Sequence, residues 1–181
     1  MKKILTGVII IVAVLLAATA IVLKGGESEE IKIPTTNMKI TSPAFENNSK
    51  IPSKYTCDGE SISPPLSFVD VPENAKSLAL VVDDPDAPMG TFTHWILFNI
   101  DPEVKEVKEN SVPQSAFQGK TSANDKKYVG ACPPSGIHRY FFKLYALNTM
   151  LNFNNPTEDE LEENIKGHII AKSELIGLYS R

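Results

Sequence analysis

Three short runs constrain what this chain can fold into. Ser77–Asp83 (SLALVVD), His94–Ile100 (HWILFNI) and His138–Leu147 (HRYFFKLYAL) are apolar and rich in branched or aromatic residues, as buried strands are. Pro and Gly cluster between them, at Pro52, Gly59, Pro64, Pro65, Pro85, Pro88, Gly90, Pro133, Pro134 and Gly136. Strand-like runs punctuated in this way predict a mainly β fold with antiparallel pairing and long structured loops. One helix is predicted near the C-terminus. Thr157 is its N-cap, and Glu160 three residues on completes a capping box ahead of Leu161, Ile165 and Ile169. Gly167 weakens the far end of that helix, and Glu174–Tyr179 reads as a short closing strand.

The N-terminus has a different character. Ile4–Leu23 carries no charge and follows Lys2 and Lys3. A helix of that length spans about 30 Å, the thickness of a bilayer core. Residues 1–24 therefore read as a membrane anchor or a signal peptide. Ala18-Thr19-Ala20 fits a cleavage site, but Ile21-Val22-Leu23 continues the apolar run beyond it, which favours an uncleaved transmembrane helix. Either reading places the body outside the cytoplasm, secreted if the segment is cleaved. Residues 25–37, rich in Gly, Glu, Pro and Thr, read as a flexible linker, and residues 38–181 as the folded domain.

Charge narrows the function classes. The chain has 18 Lys and Arg against 22 Asp and Glu, for a formal charge of −4. Lys2, Lys3 and Lys24 flank the apolar run, so the remainder holds 15 basic against 22 acidic residues. Such a body is unsuited to general binding of nucleic acid, though a local pocket for one small anion remains compatible with it. Two cysteines build neither a disulfide framework nor a Cys-rich zinc site. Cys57 and Cys132 both lie in proline-flanked loops. They are either two free thiols or, in an oxidising compartment, a disulfide across 75 positions.

The residues able to carry chemistry gather at strand ends. Asp84 and Asp86 lie in Asp83-Asp84-Pro85-Asp86-Ala87-Pro88, where a strand opens into a loop stiffened by two prolines. On their own they also read as turn residues capping backbone N–H groups. His94 opens the second run. Cys132-Pro133-Pro134-Ser135-Gly136 leads into His138 and Tyr140, which alternate to one face of the third. Two histidines held near carboxylates stay protonated and donate to an anion such as phosphate. A metal-assisted hydrolase is the less favoured use of the same groups, since no zinc-site spacing is present and no cofactor is expected. A serine hydrolase has no G-x-S-x-G. His168, near the helix C-terminus, is assigned to the helix dipole.

Four stretches in order carry a resemblance: Tyr55–Glu60 with Ile62–Phe68, Ser77–Pro88, Thr93–Ile100 and Cys132–Tyr140. Together they resemble the phosphatidylethanolamine-binding protein family, in its prokaryotic Raf kinase inhibitor-like branch, from about Lys39 to the C-terminus. The resemblance implies a large central antiparallel sheet packed with a smaller one. It implies a small anion pocket at one sheet end, lined by Asp84, Asp86, His94, Pro134, His138 and Tyr140, with Arg139 structural. It implies a binding module rather than an enzyme. The ligand would be a phosphate-bearing small molecule or lipid head group such as phosphoethanolamine. Partners would include a kinase or protease to be modulated, or a protease inhibited through surface loops. It further implies a cis bond at Ala87–Pro88. At Tyr128–Cys132 the sequence departs from the Gly-Pro expected before the cysteine.

Overall fold

The computed structural model describes residues 37–181. A three-stranded sheet is ordered β1-β3-β6, from Lys39–Thr41, Leu66–Val69 and Glu106–Val107. A six-stranded sheet is ordered β2-β9-β8-β4-β5-β7. Its strands are β2 (Ser49–Lys50), β9 (Ile169–Tyr179), β8 (His138–Leu147), β4 (Ser77–Asp84), β5 (Phe92–Ile100) and β7 (Phe117–Gln118). Pairing is antiparallel except at the edge, where β2 runs parallel to β9. One α-helix, α1 (Glu158–Ile165), and a single 3-10 turn at Ser53–Tyr55 are the helices among the described residues.

The layers explain the sequence pattern. Both faces of β4 are covered, so all eight of its residues are buried and its run is continuous rather than alternating. Leu78, Leu80 and Val82 face the smaller sheet and pack with Ile40, Leu66, Phe68, Phe142 and Leu144. Ala79 and Val81 face the other way, with Ile96, Phe98 and Tyr145, under Leu161 and Ile165 of α1. The helix begins as the capping box requires: Thr157 accepts from the Glu160 N–H, and the Glu160 carboxylate accepts from the Thr157 N–H at 2.9 Å. It ends before Gly167, whose φ of +77° turns the chain into β9. Ile169 therefore begins a strand and does not extend the helix. That strand is no short closing piece, for its 11 residues pair along the whole of β8.

Two expectations are corrected. The mainly β class with a smaller and a larger sheet stands, but the transmembrane helix assigned with it is not part of the described fold. Among the described residues no helix is long and apolar enough to cross a membrane, and α1 has only eight residues. The apolar run at 4–23, the anchor or signal at 1–24, and all of the 25–37 linker except Asn37 lie outside the described residues. The second correction is at Ala87–Pro88. No cis peptide bond occurs among the described residues. The reversal is made by a turn in which the Gly90 N–H donates to the Ala87 carbonyl at 3.2 Å, with Gly90 at φ +101°.

Candidate functional site

At one end of the large sheet, β4, β5 and β8 terminate around a cavity of about 470 Å³. Asp84, His94, Pro134, His138 and Tyr140 line it. Strand β8 delivers His138 and Tyr140 by simple alternation. His94 arrives differently. In β5, Trp95 pairs with Val82 while Thr93 pairs with Asp83, so His94 is the extra residue of a β-bulge. The bulge keeps His94 on the face of Trp95. It also turns Thr93 to the opposite face, beside Asp83 and Glu158. Without it, strict alternation would place His94 with Ile96, away from the cavity.

The hydrogen bonds fix each ring. The His138 Nδ1–H donates to Asp84 Oδ2 at 2.7 Å, and both residues are buried. The other oxygen, Asp84 Oδ1, accepts from the Asp86 N–H at 2.9 Å. Asp84 thus closes its own turn and orients a pocket histidine at once. His94 donates from Nδ1 to the Val129 carbonyl at 2.7 Å and packs edge-on against Tyr140, with centroids 5.2 Å apart. Burial pushes the His94 pKa down, against the opposing pull of the Val129 carbonyl and the Asp84 charge. An Asp-raised pKa, expected for one of the two pocket histidines, is not found at His94, where desolvation outweighs the Asp84 charge. The Tyr140 hydroxyl is buried and donates to no group among the described residues. Burial, then the Asp84 charge, raise its pKa, against the pull of the nearby Cys132 N–H.

Asp86 stands outside the cavity lining. Arg139, on the opposite face of β8, holds it in a bidentate pair at 2.8 and 2.6 Å and adds its backbone N–H at 3.0 Å. That pair brings the Asp86 pKa down to about 2. Asp86 and Arg139 together pin the Pro85–Pro88 loop to β8.

The structure adds residues that side-chain patterns do not signal. Val129 acts through its carbonyl, which no sequence signal marks. Phe92 lies against His94 at 4.8 Å between centroids, on the far side of the bulge. Gly130 is required by close approach: a Cβ there would meet Ser61 Oγ at 2.6 Å and the Thr56 backbone at 2.9 Å. Cys57 and Cys132 form a disulfide with Cα atoms 5.4 Å apart, and Cys132 lines the cavity. The Cys57 N–H donates to the Ala131 carbonyl at 3.1 Å, so the segment that departs from the expected Gly-Pro is held by backbone pairing and the bridge. Among the described residues, no group of three or more His, Cys, Asp or Glu is arranged to hold a metal.

A two-sheet body with a histidine-lined cavity at one sheet end defines a class of small-ligand binding folds. The profile of the phosphatidylethanolamine-binding protein family matches residues 41–180, and the chain belongs to that family. A UPF0098 protein of Methanothermobacter thermautotrophicus is 47% identical over 150 residues, which cover 80% of this chain and 99% of that one. One from Pyrococcus abyssi is 45% identical over 169 residues, 88% of this chain and 90% of that one. Among solved structures, a phosphatidylethanolamine-binding protein homolog from Chlamydia trachomatis superposes with a TM-score of 0.78. It is 44% identical and covers 81% of this chain and 99% of its own. YbcL of Escherichia coli, described as a new member of the mammalian family, gives 0.74 at 28% identity, covering 80% of this chain and 98% of its own.

Proposed function

We propose that this protein is a binding module whose sheet-end cavity takes a small phosphate-bearing molecule such as phosphoethanolamine, and that it works outside the cytoplasm. One observation carries the reading: two buried histidines and the unpartnered Tyr140 hydroxyl meet in one cavity, their rings fixed by Asp84 and Val129. An unsatisfied buried hydroxyl is costly unless a ligand completes it. The name of the family, given for binding phosphatidylethanolamine, supports a phosphate ligand. The exposed Met89 at the cavity and the exposed Ile137 beside His138 support a ligand with an apolar part beyond its anion. The Cys57–Cys132 bridge supports an oxidising compartment.

Calorimetry with phosphoethanolamine tests the pocket. Wild type should bind, and Tyr140→Phe should bind about tenfold more weakly. The variant should fold normally, because it removes a hydroxyl that donates to no group among the described residues. Absence of binding by wild type would sink the reading. Equal affinity in the two proteins would remove Tyr140 from the site.

A further inference from the structure

Within the pocket, His94 and His138 are not equivalent. The partner of His94 Nδ1 is a carbonyl oxygen, which only accepts, so the Nδ1 position carries the proton. The ring is 5% exposed, and burial lowers its pKa, which favours the neutral form. Its Nε2 is then a lone pair, and the hydrogen bonds of the described residues include none to it. The charges of Asp84 and Asp83 pull the other way, but burial outweighs them. Asp84 already accepts from His138 and from the Asp86 N–H. Asp83 lies on the other face of the sheet, where it pairs with Lys143. The Tyr140 hydroxyl remains as the buried group with a proton to give.

We propose that His94 Nε2 acts as a fixed hydrogen-bond acceptor that selects oxyanions carrying an ionisable P–OH, namely inorganic phosphate and phosphomonoesters in their singly protonated form. The inference rests on the anion-binding reading above and narrows it. A phosphodiester or a sulfate ester presents only acceptor oxygens, and one of these would face the His94 lone pair. That contact leaves two acceptors opposed, with no proton between them to make a hydrogen bond. A P–OH donates to Nε2, and its remaining oxygens are free to accept from Tyr140. Phospholipid head groups are diesters and free phosphomonoesters are not, so selection of this kind favours a soluble metabolite over a lipid.

Four probes test it on the full chain by calorimetry at about pH 6, near the second pKa of a phosphomonoester. Methyl phosphate at that pH offers a monoanion with a P–OH. Dimethyl phosphate and methyl sulfate are monoanions without one, and glycerophosphoethanolamine is the corresponding lipid-derived diester. Methyl phosphate should bind at least about tenfold more tightly than each of the others. Its advantage should shrink at about pH 8, where the P–OH is lost. In His94→Phe, which keeps a ring in the site, methyl phosphate and dimethyl phosphate should bind equally. Equal binding of all four probes by wild type would overturn the inference while leaving an anion pocket in place, and so would preference for the diester. Selectivity surviving in a folded His94→Phe would also overturn it. If that variant does not fold, the wild-type series and its pH dependence still decide. Binding of none of the probes would overturn the pocket reading itself.

Discussion

His138 shows how a residue of the cavity can also be a stability residue. Its place at the start of β8 suggests that removing it would cost the fold little. The structure gives the opposite answer, because His138 is 7% exposed and Asp84 behind it is 4% exposed. His138→Ala leaves Asp84 Oδ2 buried without its donor, and breaking a buried pair in this way is expensive. The variant should lose phosphoethanolamine binding and about 3 kcal/mol of stability by urea unfolding at neutral pH. A loss under about 0.5 kcal/mol would show that Asp84 finds another partner. The two histidines also differ in how far the sequence reveals them. His138 and Tyr140 follow period-two alternation and were readable as a same-face pair. His94 enters the cavity only through a bulge, and no residue type in Thr93-His94-Trp95 signals one. Asp86 sits in the right motif yet serves the loop, because Arg139 occupies both of its oxygens.

Among the elements, α1 shows the same division between local and tertiary signals. Its start was legible because a capping box is local chemistry. Its end and the full length of β9 were not, because both depend on where Gly167 turns and on the whole of β8 as partner. The helix start is also a titrating contact. Glu158 accepts from Thr93 Oγ1 at 2.6 Å and lies 3.5 Å from the Lys143 ammonium, which also pairs with Asp83. Burial, reinforced by the Asp83 charge, raises the Glu158 pKa from 4.5 to about 7. A protonated Glu158 accounts for Asp83 Oδ1, which is otherwise buried without a partner. The folded pKa lies above the unfolded one, so this contribution to stability is complete below about pH 4.5 and is lost as pH rises through about 7. Stability should fall by about 1–3 kcal/mol across that window. Glu158→Gln keeps a donor for Asp83 and an acceptor for Thr93, so its curve should be flatter and lie above wild type at about pH 8. Urea titrations at several pH values measure both. A variant curve parallel to wild type would assign the slope to other groups.

Taken whole, the described chain closes one of its largest loops covalently. The bridge from Cys57 to Cys132 spans 75 positions, encloses β3 to β7, and ends at the cavity wall. Composition could not decide between a bridge and two free thiols, since the answer depends on how the Thr56–Gly59 turn meets the Gly130–Pro133 segment. The structure supplies that meeting: the Cys57 N–H donates to Ala131, Thr56 pairs with Ala131, and Gly130 leaves room for the Thr56 backbone. In the chain-entropy view, cross-linking a loop of this length restrains the unfolded ensemble by about 4 kcal/mol. For a domain of this size, such a loss lowers Tm by roughly 8–16 °C. Cys57→Ser/Cys132→Ser should therefore melt in about that range below the oxidised wild type. The reduced wild type should melt close to the double variant, because both lack only the cross-link. The backbone bonds between the two segments remain in either case, so phosphoethanolamine affinity should change far less than Tm does. Calorimetric melting and binding on the three species check both halves of the expectation. A Tm unchanged by reduction would mean that the sulfurs are not joined in solution. A pocket that fails along with the bridge would mean that the disulfide, rather than the backbone pairing, holds the cavity wall.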